Sequence, residues 1–365
     1  MARKLRQRLR DYGIKIGLTE TGEQNSITDV PGVSVGHETL INGAGKLVPG
    51  QGPVRTGVTV ILPHEGNVYE EKLRAGVDVQ NGAGELTGSL QIMEWGVLET
   101  PIALTNTLNV GLVHDGIVDH MLKENKEVGD RDEVFLPVVG ECDDSYLNDI
   151  RGRHVKLEHV LKGIKAASRK VAEGSVGAGT GMSALGFKAG VGTASRKLTE
   201  DLGQYILGAL VVANFGTDHD LRVDGVPVGR ELQKDEGNPS NDGSIITVIA
   251  TNAPTNSAQL RRLAGRVPLA LGRVGSISSN SSGDIAIAFS NAERIRAREA
   301  SLSQTATELS PKLLNALFRA TIEATEEAIL NSIFASETMK GRDDNVSPGL
   351  PIDVTLEIMK KHGKL

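Results

Sequence analysis

The chain has 365 residues, 39% of them hydrophobic and 24% charged, with a formal net charge of −6. This profile is that of a soluble globular protein long enough for one large domain or two ordinary ones. It argues against nucleic acid as the partner, the single cysteine excludes an intrachain disulfide, and no run of about 18 apolar residues is present to span a membrane.

The basic start (Arg3, Lys4, Arg6, Arg8, Arg10) reads as a solvated tail or a first helix turn. No apolar segment follows it, so a secretory signal is not expected and the cytoplasm is the expected location. Strands are predicted at 56–63, 101–106 and 134–139. Residues 154–173 carry apolar side chains at helical spacing, from Val155 and Leu157 to Ala167 and Val171. A fully buried strand is expected at 205–213 and another at 245–250. A helix over 256–266 follows Pro254 and Thr255, the expected cap. A strand at 284–290 precedes the strongest helix, 310–333, opened by Ser310-Pro311. The strands come in adjacent groups, which favours two sheets with helices outside them over a simple α/β alternation.

Residues 241–250 read Asn-Asp-Gly-Ser-Ile-Ile-Thr-Val-Ile-Ala. A polar loop running from Asp235 breaks at Ser244 into a doubly apolar run, the start of a buried central strand. The Ser244 hydroxyl is placed to attack the Gly243 carbonyl, form an ester and be released by water as a new N-terminus. Glycine suits the position before such a cut because it accepts strained angles. The new α-amine would then sit on the same residue as the hydroxyl and serve as its base. Gly-Ser after Asn-Asp is also common turn chemistry, so an ordinary serine in a loop-to-strand turn stands beside that reading.

Other candidates are weighed in the same way. The glycine-rich run 174–182 lacks the Lys-Ser or Lys-Thr of a phosphate loop and follows a helix, which favours a tight turn lining a pocket. The histidines, in His114-Asp115, Asp119-His120 and Asp218-His219-Asp220, form no metal set, and neither metal nor cofactor is expected. Cys142 lies among Glu141, Asp143 and Asp144, whose charges suppress a thiolate. Asn214, at the end of an apolar run, is an oxyanion donor or a strand-end cap. Ser282 and Asp284 can orient a nucleophile and its amine, or form another Ser-Gly turn.

Several motifs occur together and in order: Asn25-Ser-Ile-Thr-Asp-Val-Pro-Gly-Val33, Asn81-Gly-Ala-Gly-Glu-Leu-Thr-Gly88, Tyr146-Leu-Asn-Asp-Ile150, Gly177-Ala-Gly-Thr-Gly-Met182, Gly243-Ser-Ile-Ile246 and Ser282-Gly-Asp-Ile285. From about Gly17 to Lys361 the chain resembles the self-cleaving L-aminopeptidase/D-esterase family, which includes the β-peptidyl aminopeptidases and nylon-oligomer hydrolases. The resemblance implies an α+β, four-layer αββα sandwich of the N-terminal-nucleophile type. It would be one domain, cut into 1–243 and 244–365, and assembled as a homo-oligomer, a tetramer of αβ units. It further implies Ser244 as nucleophile, Ser282 and Asp284 as its orienting partners, and Asn214 as oxyanion donor. Tyr146 would be a second polar group beside the scissile bond. Glu141, with Asp144 in the same acidic stretch, would contact the free amine of a small peptide, amide or ester. Asp143-Asp144-Ser145 is more acidic than the family leads one to expect, Ser145 stands where glycine is usual, and members differ over Asp or Glu at position 284. The alternatives left open are an acyltransferase of the ornithine-acetyltransferase type, which usually has threonine at the cut, and a non-catalytic oligomeric protein with the Gly243–Ser244 bond intact.

Overall fold

A computed structural model of the chain describes residues 6–232, 243–296 and 307–365. Arg3, Lys4 and the polar loop before Gly243 lie outside them. Two sheets stack in the middle of the molecule. The first has strands β1 (Ser34–Asn42), β2 (Val54–Leu62), β5 (Ile102–Asn106) and β6 (Val138–Cys142), in the order β1-β2-β5-β6. The second is built from β3 (Glu71–Gly82), β4 (Val97–Leu98), β9 (Val191–Lys197), β10 (Ile206–Asn214), β11 (Ser244–Thr251) and β12 (Gly283–Arg296), in the order β4-β3-β12-β11-β10-β9.

Helices α2 (Val110–Glu124) and α3 (Leu157–Lys165) cover the outer face of the first sheet. Helices α5 (Ser257–Ala264), α6 (Val267–Val274) and α7 (Pro311–Phe334) form the layer over the second. This is the expected αββα order. Short elements complete the chain: α1 (Ser89–Trp95), the hairpin β7 (Ser183–Ala184) and β8 (Phe187–Lys188), α4 (Val228–Glu231), the ribbon β13 (Met339–Lys340) and β14 (Val346–Ser347), and α8 (Ile352–Lys361). Among the described residues no helix is long and apolar enough to cross a membrane.

The apolar run of β11 follows from its place in the stack. Ile245 and Ile249 join the core beneath α5, α6 and α7, whereas Ile246, Val248 and Ala250 join the core between the sheets. Both faces of β11 are buried, so the side-chain alternation of a strand leaves no polar face.

Three expectations are corrected. The helix predicted at 154–173 ends at Lys165, because Ser168 returns to the sheet edge and exchanges both backbone hydrogen bonds with Val35, at 3.0 Å each. That pairing overrides apolar spacing that persists to Val171. The strand predicted at 134–139 lies at Val138–Cys142. Pro137 has no N–H to give a ladder, and Val134 and Leu136 are exposed. Helix α5 is capped by Asn256, whose side chain accepts from the Gln259 N–H at 2.8 Å, not by Thr255.

Where it is described, the basic start forms the helical turn Leu9–Tyr12 and is not a solvated tail. Arg8 donates to the carbonyls of Gln24, Asn25 and Thr193 at 2.6–2.8 Å. Arg10 pairs with Glu327 of α7 at 2.6 Å, and the fully buried Arg196 pairs with the same carboxylate at 2.8 Å. Burial pushes the Glu327 carboxyl up, but the Arg10 hydrogen bond and the charges of Arg196 and Arg10 outweigh it and hold the pKa below the ordinary 4.5. The stabilisation is therefore complete above that ordinary value and is lost as pH falls through the lower folded one. Glu327→Ala leaves Arg10 without its carboxylate and the buried Arg196 with only Glu323, at 3.4 Å. It is expected to cost about 3–5 kcal/mol, read as a fall in the urea unfolding midpoint; an unchanged midpoint would show that the cluster does not bind α7 to the rest of the fold.

Candidate active site

Three strand ends meet at one level. Ser244, the first residue of β11, lies opposite Asn214 at the end of antiparallel β10 and beside Gly283 at the start of parallel β12. Ser244 is buried, and its hydroxyl makes no hydrogen bond. The thiol of Cys142 lies against that hydroxyl without making a directed bond to it. The Gly243 carbonyl, the acyl group next to Ser244, accepts the Gly283 N–H at 3.0 Å. A Cβ at position 243 would stand 2.4 Å from the Asn214 carbonyl oxygen. The requirement for glycine here is thus one of close approach between strand ends.

Asn214 is held from two sides. Its Oδ1 accepts the Ser183 N–H at 3.0 Å, and its Nδ2 donates to the Asp143 carbonyl at 2.9 Å. An amide nitrogen has two N–H groups, so one remains. The Ser282 hydroxyl donates to Asp284 Oδ1 at 2.6 Å, both side chains are buried, and Asp284 Oδ2 has no partner. Asn81, from the Asn-Gly-Ala-Gly motif, donates to the carbonyls of Ser278 and Ser279 and fixes the loop that leads to Ser282.

Ser244, Gly243 and Asn214 line a cavity of about 750 Å³ together with Glu141, Tyr146, Ser183 and Val346. Among the described residues its carboxylates are Glu85, Glu141, Asp143 and Asp218, and no described lysine, arginine or histidine lines it. Glu141 is buried at the end of β6, where its carboxylate accepts the Thr107 hydroxyl and, at 3.0 Å, the Glu85 N–H. Burial raises its pKa above the ordinary 4.5, against the pull of those two hydrogen bonds. Tyr146 is 42% exposed and donates to the Val346 carbonyl at 3.4 Å.

Asp144 is not brought to this cavity. It is fully buried, accepts from Asn106 at 3.2 Å and Asn148 at 2.9 Å, and is pushed up to about 7 by burial. Its neighbour Asp143 faces the cavity instead. Cys142 is buried and donates to the Val212 carbonyl at 3.4 Å; burial first, and then the Glu141 charge, pushes its thiol up. The Gly283 N–H, the Ser183 N–H and the Asp143 carbonyl escape a reading of the sequence, because backbone groups carry no residue signature.

Residues 25–347 match the description of peptidase family S58. The chain belongs to peptidase family S58. A β-peptidyl aminopeptidase of Sphingosinicella microcystinivorans is 43% identical over 98% of this chain and 93% of its own length. A crystal structure of a protein from Pyrococcus horikoshii OT3 superposes with a TM-score of 0.95 at 51% identity, covering 98% of this chain and all of that one. The L-aminopeptidase D-Ala-esterase/amidase of Ochrobactrum anthropi, described as a prototype for the serine aminopeptidases and a new variant of the N-terminal-nucleophile hydrolase fold, superposes at 0.90 with 36% identity, over 98% of this chain and 99% of that one. As a member of this family the chain is a hydrolase of the N-terminal-nucleophile serine aminopeptidase type. The acyltransferase alternative is not favoured by these full-length relatives.

Proposed function

We propose that the chain cuts itself between Gly243 and Ser244, and that the freed serine then releases N-terminal residues from small peptides, amides or esters. The observation that carries this reading is the unbonded, buried Ser244 hydroxyl at the junction of three strand ends, opening on the cavity. In the first step Ser244 Oγ attacks the Gly243 carbonyl, whose oxygen is already polarised by the Gly283 N–H. The C–N bond breaks, the hydroxyl proton passes to the departing Ser244 nitrogen, and water hydrolyses the ester. Fragments 1–243 and 244–365 remain interleaved in one sheet, since β3 and β10 of the first flank the β12–β11 pair of the second.

In turnover the Ser244 α-amine takes the hydroxyl proton as Oγ attacks the substrate carbonyl. An α-amine has a reference pKa of about 7.7–8.0, close to working pH, whereas a free lysine at about 10.4 is mostly protonated. The remaining N–H of Asn214 stabilises the oxyanion, and the leaving group takes the proton from the ammonium. Water then resolves the acyl-enzyme. Ser282 and Asp284 orient the amine and hydroxyl, Tyr146 forms the polar wall, and Glu141 pairs with the substrate's protonated amine. A cavity with four carboxylates and no basic side chain among its described lining residues supports a cationic substrate over nucleic acid. The resemblance extends the reading to a cytoplasmic homo-oligomer, a tetramer of cut units, for which the exposed Leu90, Met93 and Trp95 of α1 offer contact surface; light scattering after size exclusion tests it.

Asn214→Ala is expected to lower kcat about 10²–10³-fold, the usual cost of one oxyanion donor, with folding retained. Steady-state kinetics on an aminoacyl-p-nitroanilide, normalised to cut chain, provides the check. Unchanged kinetics would make Asn214 only a strand-end cap. Denaturing electrophoresis of the purified protein tests the cut itself.

A further inference from the structure

The glycine-rich run 174–182 takes no part in the chemistry above, yet it leads directly to the group that holds Asn214. Lys188, in β8, is fully buried. Its ammonium donates to the carbonyls of Met182 and Ala189 at 2.6 Å and of Gly179 at 3.3 Å. When it is protonated its three N–H groups meet three carbonyls; burial pulls its pKa down to about 7, against the pull of Asp144, which lies beyond ion-pair distance. A lone buried ammonium is costly to desolvate, so its retention at this place calls for a reason.

The segment it closes supplies one. Between Gly179 and Ala189 the chain turns through the β7–β8 hairpin, and there the Ser183 N–H donates to Asn214 Oδ1 at 3.0 Å and the Leu185 N–H to the Phe215 carbonyl at 2.6 Å. The two bonds fix the last residue of β10 and the residue after it. Gly181 allows the run to seat against its neighbours: a Cβ there would lie 2.4 Å from the Arg55 carbonyl oxygen and 2.8 Å from the Asp144 Cβ. The ammonium therefore ties the two ends of the hairpin together behind the amide.

We propose that Lys188 is a positioning residue for turnover, its ammonium closing the 179–189 segment so that the Ser183 N–H holds the Asn214 amide with its free N–H toward the Ser244 cavity. This rests on Asn214 being the oxyanion donor. A lysine that serves only stability would act equally whether or not Asn214 is present, so a double-mutant cycle separates the two.

The cycle comprises Lys188→Met, Asn214→Ala and the double variant. For each, kcat and KM are measured on one aminoacyl-p-nitroanilide and normalised to the cut chain seen on denaturing electrophoresis, with folding checked by circular dichroism. Lys188→Met is expected to lower kcat about 10–100-fold, less than loss of the donor itself, with KM within about 2-fold. In the Asn214→Ala background it should add less than about 2-fold, and Lys188→Arg, which keeps a charged donor, should recover part of the loss. An equal kcat loss in both backgrounds, or none in either, overturns the proposal while leaving the oxyanion role standing. Wild-type kcat in Asn214→Ala instead overturns the oxyanion role and the proposal that rests on it. If Lys188→Met does not fold, Lys188→Gln takes its place in the cycle, and failure of both to fold makes Lys188 a folding residue and overturns the proposal.

Discussion

Ser244→Ala is expected to yield a single full-length chain with no measurable turnover. The substitution removes one oxygen from a side chain that makes no hydrogen bond, so the fold loses little. The reaction loses both its nucleophile and the step that would free the α-amine. Removing the nucleophile of a serine hydrolase lowers kcat by about 10⁶-fold, and here the base is lost with it. Ser244→Cys keeps a nucleophile and is expected to cut, though more slowly. The readouts are intact mass and hydrolysis of an aminoacyl-p-nitroanilide. Wild-type activity in Ser244→Ala would remove Ser244 from the mechanism.

N-acetylation of the substrate is expected to lower kcat/KM about 10²–10³-fold. Glu141 is buried, and leaving a buried carboxylate without its cation costs about 2–5 kcal/mol, which converts to about 30- to 5,000-fold and brackets that loss. Glu141→Gln should narrow the gap between free and acetylated substrates while leaving self-cleavage intact. Its amide oxygen can still accept the Glu85 N–H while its nitrogen donates to the Thr107 hydroxyl, so the neighbouring hydrogen bonds are kept and only the charge is lost. A pH dependence follows. Burial raises the Glu141 pKa, so the carboxylate that binds the amine is lost as pH falls through that raised value. KM should rise on the acid side in wild type, and the rise should flatten in Glu141→Gln. Equal rates for free and acetylated substrates in wild type would mean that Glu141 does not recognise the amine.

The parts of the fold legible from sequence are those in which burial leaves a long uniform trace. β11 is apolar on both faces because each face enters a different core, and α7, after its Ser310 cap and the first-turn Pro311, runs without glycine or a further proline. What was not legible depended on partners distant in the chain. Apolar spacing extends helix α3 past Lys165, but Val35 takes the backbone of Ser168. Arg8 and Arg10 read as a solvated tail or a first helix turn; their partial burial shows only once α7 and the carbonyls of Gln24, Asn25 and Thr193 are seen around them. In the acidic stretch, composition alone does not separate Glu141 from Asp144; the former faces the cavity and the latter the asparagines behind it. The Gly243–Ser244 junction was visible as a break in polarity, whereas the Gly283 N–H on the Gly243 carbonyl required the register of β11 against β12.

The most direct test of Ser244 as a freed nucleophile is intact-mass spectrometry of active wild-type protein, before and after a rapid acid quench with a slowly hydrolysed aminoacyl ester. The expected result is two chains, 1–243 and 244–365, of which only the second gains the mass of the acyl group. A single full-length mass in an active preparation, or an acyl group on the first chain, would contradict it.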